Sequence, residues 1–274
     1  MTATFALVRD TFREAFARKI FWGLFGLSTL MILFFLFLLK IDVVEGAMAT
    51  VSLIGRTVDR SIDADRWVRG VYAFIAGFLF TWGLFLSSFA SAGLIPSVLE
   101  PGRIELLLSK PVSRTHILLG RYLGNVLVVT CNNAWLVLGV WIILGIKTGI
   151  WRTNFLLTIP ATMFAFAVLL TVVLLVGVLF ESAALSTMVS AALMLISAIL
   201  AQTTIMLKLL SSEWSRNVWR TLYYSLPKIY DLGRMAVDTI NKGTVDDYMP
   251  VWTSSIFAAV VLSVSLWIFH RRDF

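Results

Sequence analysis

The chain has 274 residues, 59% of them hydrophobic and only 14% charged, with a mean hydropathy of +0.87. A soluble domain carries about 25% charged residues, so this composition excludes a water-facing surface of ordinary size. The net charge of +7 does not point to nucleic acid, because no basic segment lies in a foldable soluble domain; Lys and Arg instead flank apolar blocks, as they do beside membrane spans.

The single cysteine, Cys131, excludes an intrachain disulfide and a Cys-based metal site. His116 and His270 lie far apart, each beside arginines, and read as interfacial residues.

Residues 1–19 are amphipathic. Phe5, Val8, Phe12 and Phe16 recur at helical spacing, with Arg9, Asp10, Arg13, Glu14 and Arg18 off that stripe. The pattern predicts a helix lying in the membrane interface, an anchor for entry into the bilayer.

About 20 apolar residues cross a hydrocarbon core of about 30 Å as a helix, because lipid offers the backbone no hydrogen-bond partners. Six blocks meet that length: 20–39, 71–95, 117–144, 155–179, 185–207 and 251–269. The first is too long for a signal-peptide core and reads as an uncleaved span. The expected fold is therefore all-α and integral to the membrane, a single domain over 1–274.

An even number of spans puts both termini on one side. Compact basic clusters flank spans one, three and six on that side, among them Arg18, Lys19, Arg114, Arg121, Arg271 and Arg272. This predicts cytoplasmic termini. Arg114 and Arg121 are expected at headgroup level.

Residues 40–70 form a mixed-sign solvated segment. Residues 208–250 are a structured outer segment. There, Trp214, Val218, Leu222 and Leu226 keep helical spacing, Trp219, Tyr223 and Tyr224 add an aromatic belt, and a second short helix is expected over 229–240.

The most informative stretch runs from Glu100 to His116, between spans two and three. Pro101 suits a first helical turn, Ile104, Leu107 and Leu108 form one apolar face, Pro111 ends the helix, and Ser113 caps the next. A short amphipathic helix is predicted there, either an ordinary interfacial loop or a docking helix for a soluble partner.

This stretch resembles the loop between the second and third spans of type-two ABC transporter permeases. The matching residues are Glu100, Gly102, Arg103, Glu105, Leu107, Leu108, Ser109, Pro111, Ser113, Arg114, Gly120 and Arg121. Lys110 departs from the pattern, since many members run Ser directly into Pro. The amphipathic N-terminus, the outer segment before the last span, the Leu226–Asp231 run and the C-terminal Arg271-Arg272-Asp273 ending are similar too.

The resemblance implies a coupling helix at 100–116, seated in a groove of a cytoplasmic ATPase, with Glu100, Arg103, Glu105 and Arg114 as contact residues. It also implies an exporter in the cell inner membrane, built from two permease copies and two ATPase subunits. No P-loop, which needs Gly-Lys, occurs in the sequence. ATP and Mg2+ are therefore expected in the partner ATPase, and this chain is expected to bind no cofactor and catalyse nothing itself.

Cys131, Asn132 and Asn133 sit near the centre of span three. Asn132 and Asn133 are read either as helix–helix contacts or as part of a substrate path. The four-residue spacings Gly120/Gly124 and Ser182/Ser186/Ser190 predict close helix packing. No ionisable residue lies near mid-membrane, which argues against an ion-coupled carrier. A non-transporting scaffold, an ABC complex doing mechanical work, and an intramembrane enzyme acting on lipid are the competing readings; the last lacks paired polar groups. Glu181, between spans four and five, is read as a solvated turn residue or a second minor ATPase contact.

Overall fold

The computed structural model describes residues 2–17, 19–44, 48–53, 56–57, 62–93, 96–99, 113–210, 212–245 and 247–271. Six helices among them are long and apolar enough to cross a membrane: Lys19–Phe37, Ala64–Ala92, Arg114–Thr148, Thr153–Phe180, Ala183–Leu200 and Met249–Arg271. They are spans one to six. The end of the bundle that carries both termini is the proximal end, and the opposite end is distal.

Local chemistry sets the span limits. Span two starts at Ala64, well before its apolar block, because the Asp63 carboxylate accepts from the Asp65 N–H at 3.1 Å and caps a polar first turn. Ser113 caps span three by accepting from the His116 N–H, and the helix runs 35 residues to a left-handed Gly149 (φ +71°). Span four ends on Glu181, a non-glycine residue at φ +52°, a conformation that costs roughly 1–2 kcal/mol. Ser182 then caps span five by accepting from the Leu185 N–H.

Span five stops at Leu200, short of the expected 207. The Gln202 N–H reaches back only to the Ile199 carbonyl, 3.2 Å away, and this tight turn separates the span from a short helix, Thr203–Leu209.

Span four is the hub. It is the most apolar span and the most buried, as a helix without a polar face must be. Phe166, Leu169, Leu170, Val173 and Leu174 pack with Phe80 and Leu84 of span two, Ile117 of span three and Phe269 of span six. A second cluster joins spans one, two and three, with the Tyr72 and Phe155 rings stacked 4.2 Å apart at its distal edge.

The membrane body is all-α, as expected. Outside it, residues 40–70 are more than a solvated loop. Strands β1 (Leu39–Val44), β2 (Met48–Leu53), β3 (Arg56–Thr57) and β4 (Ile62–Asp63) form a small antiparallel sheet in which β2 pairs with all three others. Nearby, Arg152 Nε donates to Asp65 at 2.8 Å and ties the starts of spans two and four together. Lys147 Nζ donates to the Phe35 and Leu36 carbonyls at 2.9 and 2.6 Å, where span one loosens into a π-helical turn, Phe34–Leu38.

The distal segment before span six holds two helices of different character. Glu213–Ser225 buries no residue and exposes Trp214, Leu222 and Tyr224. Ile229–Lys242 is instead inserted into the bundle. Its Ile229, Leu232, Gly233, Ala236 and Ile240 are buried, and a Cβ on Gly233 would stand 3.0 Å from Phe80 of span two. Hydroxyls hold its N-terminal end: the Lys228 N–H donates to Ser254 Oγ at 3.0 Å and the Tyr230 N–H to Ser197 Oγ at 3.1 Å. A purely interfacial reading of this helix is thereby corrected.

Candidate functional site

Of the four residues expected to contact an ATPase, Glu100, Arg103 and Glu105 lie outside the described residues. The structure does describe what flanks them. On one side is a single helical turn, Pro96–Leu99, whose Ser97 Oγ donates to Glu14 Oε1 of the N-terminal helix at 3.3 Å. On the other is Arg114, whose Nη1 donates to the His270 carbonyl at the end of span six, 3.2 Å away. The described residues on either side of 100–112 are therefore each held in place, one on the N-terminal helix and one on the last span.

A third anchor was missed from sequence. Arg121 was expected among lipid headgroups, yet it is only 2% exposed. Its Nη2 donates to Asp10 at 2.8 Å and its Nη1 to Glu14. A guanidinium persists in such a site only with charged partners. One turn further along span three, Gly124 removes the side chain that would block the N-terminal helix. A Cβ there would stand 2.6 Å from Thr11 Cβ, and Thr11 is fully buried.

The N-terminal helix Thr2–Ala17 is thus fastened to span three. The signal was present in the sequence as two acids, Asp10 and Glu14, one turn apart on one helix face. Nothing local marks Arg121, more than 100 residues away, as their partner.

Asn132 and Asn133 are 9% and 4% exposed and sit where spans one, two and three meet. Two cavities of about 30 Å³ flank them. One is bounded by Phe21, Leu24, Ser87, Asn125 and Asn132, the other by Ser28, Leu79, Ser87, Asn132 and Asn133. Cys131, one residue earlier, is exposed.

A larger apolar groove of about 400 Å³ lies between spans two and five, beside the inserted distal helix. Span two makes a π-helical turn there, Leu79–Gly83, which presents Thr81 and Trp82 to the groove opposite Met194, Leu195 and Tyr230. Such turns arise where one extra residue is accommodated within a helix, often at functional positions.

At the distal junction the Tyr223 hydroxyl donates to Asp231 at 3.0 Å, and Lys228 Nζ donates to the Tyr223 carbonyl while lying 3.9 Å over its ring. Burial raises the Asp231 carboxyl above the usual carboxylate range, against the lowering pull of the Tyr223 hydrogen bond and of Lys228 and Arg234. Burial also raises Tyr223 and lowers Lys228. A raised acid costs stability as the pH climbs through its folded value, and that cost is absent below its unfolded pKa of about 3.9. Asp231→Asn is therefore expected to raise the thermal midpoint at pH 7.5, with the gain closing towards pH 4. A midpoint lowered at pH 7.5, with no pH dependence of the difference, would contradict this assignment.

Among the described residues, six helices long and apolar enough to cross a membrane, packed around span four, define a multi-pass membrane protein. The model of the ABC-2 family transporter proteins matches residues 5–274. The chain belongs to that family, and it is a membrane component of an ABC transporter, a class of assembly in which such a component associates with an ATPase subunit. No curated protein matches it significantly.

Proposed function

We propose that this chain is the permease subunit of an ATP-driven exporter, driven by separate cytoplasmic ATPase subunits. Two copies pair with two ATPases in the cell inner membrane, with both termini in the cytoplasm. ATP and Mg2+ are held by the partner. The observation that carries this reading is the convergence of anchors at the proximal end. Ser97, Arg114 and Arg121 fix both flanks of the 100–112 segment to the N-terminal helix and to span six. A push on that segment is therefore transmitted to spans two, three and six and to the N-terminal helix together.

Glu100, Arg103, Glu105 and Arg114 are the contact residues in this proposal. Asn132 and Asn133 serve the interface among spans one to three within one subunit, which their burial favours over a path between subunits.

Charge reversal tests the contact. Glu105→Lys and Arg114→Glu are expected to weaken ATPase association or to lower permease-stimulated ATP hydrolysis about tenfold, equivalent to about 1.4 kcal/mol in coupling. Membrane insertion stays normal. Two variants that insert normally and keep full partner affinity and coupled hydrolysis would refute the contact assignment.

A further inference from the structure

We propose that spans one, two and three enclose a hydrated polar seam, in which ordered waters bound by Asn125 and Asn132 continue the polar face of Arg121 into the membrane. Arg121, Asn125 and Asn132 are spaced by four and seven residues, which sets them on one face of span three over a rise of about 16 Å. Ser87, Ser88 and Ser91 of span two are each no more than 2% exposed, and Ser28 of span one is 8% exposed.

Among the described residues, three polar side-chain atoms on this face of span three are buried without a hydrogen-bond partner: Arg121 Nε, Asn125 Nδ2 and Asn132 Oδ1. Neither water nor polar lipid reaches such groups from the hydrocarbon core. An unpaired buried amide costs more than immobilising a water against it.

The two cavities supply the space. Asn125 and Asn132 both line the first, and Asn132 also lines the second with Asn133. Each offers about 30 Å³, and a water needs about 10–15 Å³ of such volume, so each cavity takes about two waters. That size excludes a larger solute. The lining is amides, hydroxyls and apolar groups, the rings of Phe21 and Phe78 among them, with no carboxylate for a cation, and Arg121 already holds two acids of the protein itself.

The seam lies directly beneath the N-terminal helix, whose Ala15 lines the first cavity. Displacement of that helix would thus shift span three against an interface whose hydrogen bonds are exchangeable with water, rather than against a dry interlocked one.

X-ray hydroxyl-radical footprinting of the full chain in lipid nanodiscs tests the proposal, because radicals formed from bound water oxidise the side chains that touch it. Leu79, Leu136 and Val129 line the cavities yet are only 3%, 2% and 6% exposed. They are expected to label at least fivefold faster than Leu169 and Val173, which are fully buried in the apolar core around span four. Labelling of all five at one slow rate overturns the proposal, and this comparison needs no variant. In Asn125→Leu and Asn132→Leu, the fast labelling is expected to fall towards the Leu169 rate. Undiminished labelling in both folded variants overturns the role given to the two amides.

Discussion

Replacing Arg121 with methionine is expected to destabilise the protein by up to about 3–5 kcal/mol, the range for breaking a buried ion pair from one side. The group that loses its ion pair is Glu14, whose side chain is 15% exposed and which keeps its hydrogen bond from Ser97; Asp10, at 56%, is screened by solvent and adds little. The N-terminal helix should then detach from span three while the spans stay inserted. Thermal unfolding in detergent and protease cleavage near residue 17 read the two effects separately. Removing both sides of the pair, as Arg121→Met with Glu14→Gln, should restore most of the lost stability, since a buried ion pair exchanged for neutral groups of similar size is often close to neutral. An Arg121→Met midpoint equal to the wild type would show that the buried pair does not hold the helix.

Gly124→Ala has the next largest expected effect, about 1–3 kcal/mol of destabilisation from overpacking. The new methyl would stand 2.6 to 2.8 Å from the Thr11 Cβ, Cγ2 and Oγ1 atoms. Thr11 is a short branched side chain, fully buried, so the N-terminal helix must lift as a unit. Gly77→Ala in span two is the matched control. Its added Cβ meets nothing within 4 Å, and the exchange should be neutral or stabilising by up to about 1 kcal/mol. Thr11→Gly should relieve Gly124→Ala in part. Equal stability of the Gly124→Ala and Gly77→Ala proteins would remove the close approach from the account.

The two variants act on one structural fact that sequence reading reached only halfway. The stripe of Phe5, Val8, Phe12 and Phe16 identified a helix over the N-terminal residues, because periodicity is a local property. Asp10 and Glu14 were read only as lying off that stripe, because their partner Arg121 is brought there only by the packing of span three. An arginine near the end of an apolar block ordinarily reads as a headgroup contact, and only a tertiary neighbour distinguishes the buried case.

The spans were legible for a plain reason: hydrocarbon thickness imposes a length on every apolar run. Their ends were less so, because caps such as Asp63 and Ser113 carry a helix past its apolar part. A short helix over 229–240 was also expected, and Ile229–Lys242 forms it. That it faces protein depends on Gly233 meeting Phe80, a contact between distant segments. The strands of residues 39–63 lie in a segment of mixed charge without a clean alternation, and nothing in its composition separates them from loop. The 100–116 stretch was read from sequence both from its apolar face and as a motif, and residues 100–112 of it lie outside the described residues. The structure contributes the contacts of its flanks, made by Ser97, Arg114 and Arg121.

The central claim is that an ATPase drives this permease through that stretch. Site-directed cross-linking measures it most directly, since the sole native cysteine, Cys131, is removable as Cys131→Ser. With Glu105→Cys or Arg103→Cys added, the chain co-expressed with its ABC ATPase should form a cross-linked species with the ATPase, in a yield that changes on adding ATP and Mg2+. A cysteine placed at distal Trp214 should give none. An ATPase that co-purifies with the permease but cross-links at neither 103 nor 105, with or without nucleotide, would contradict the account.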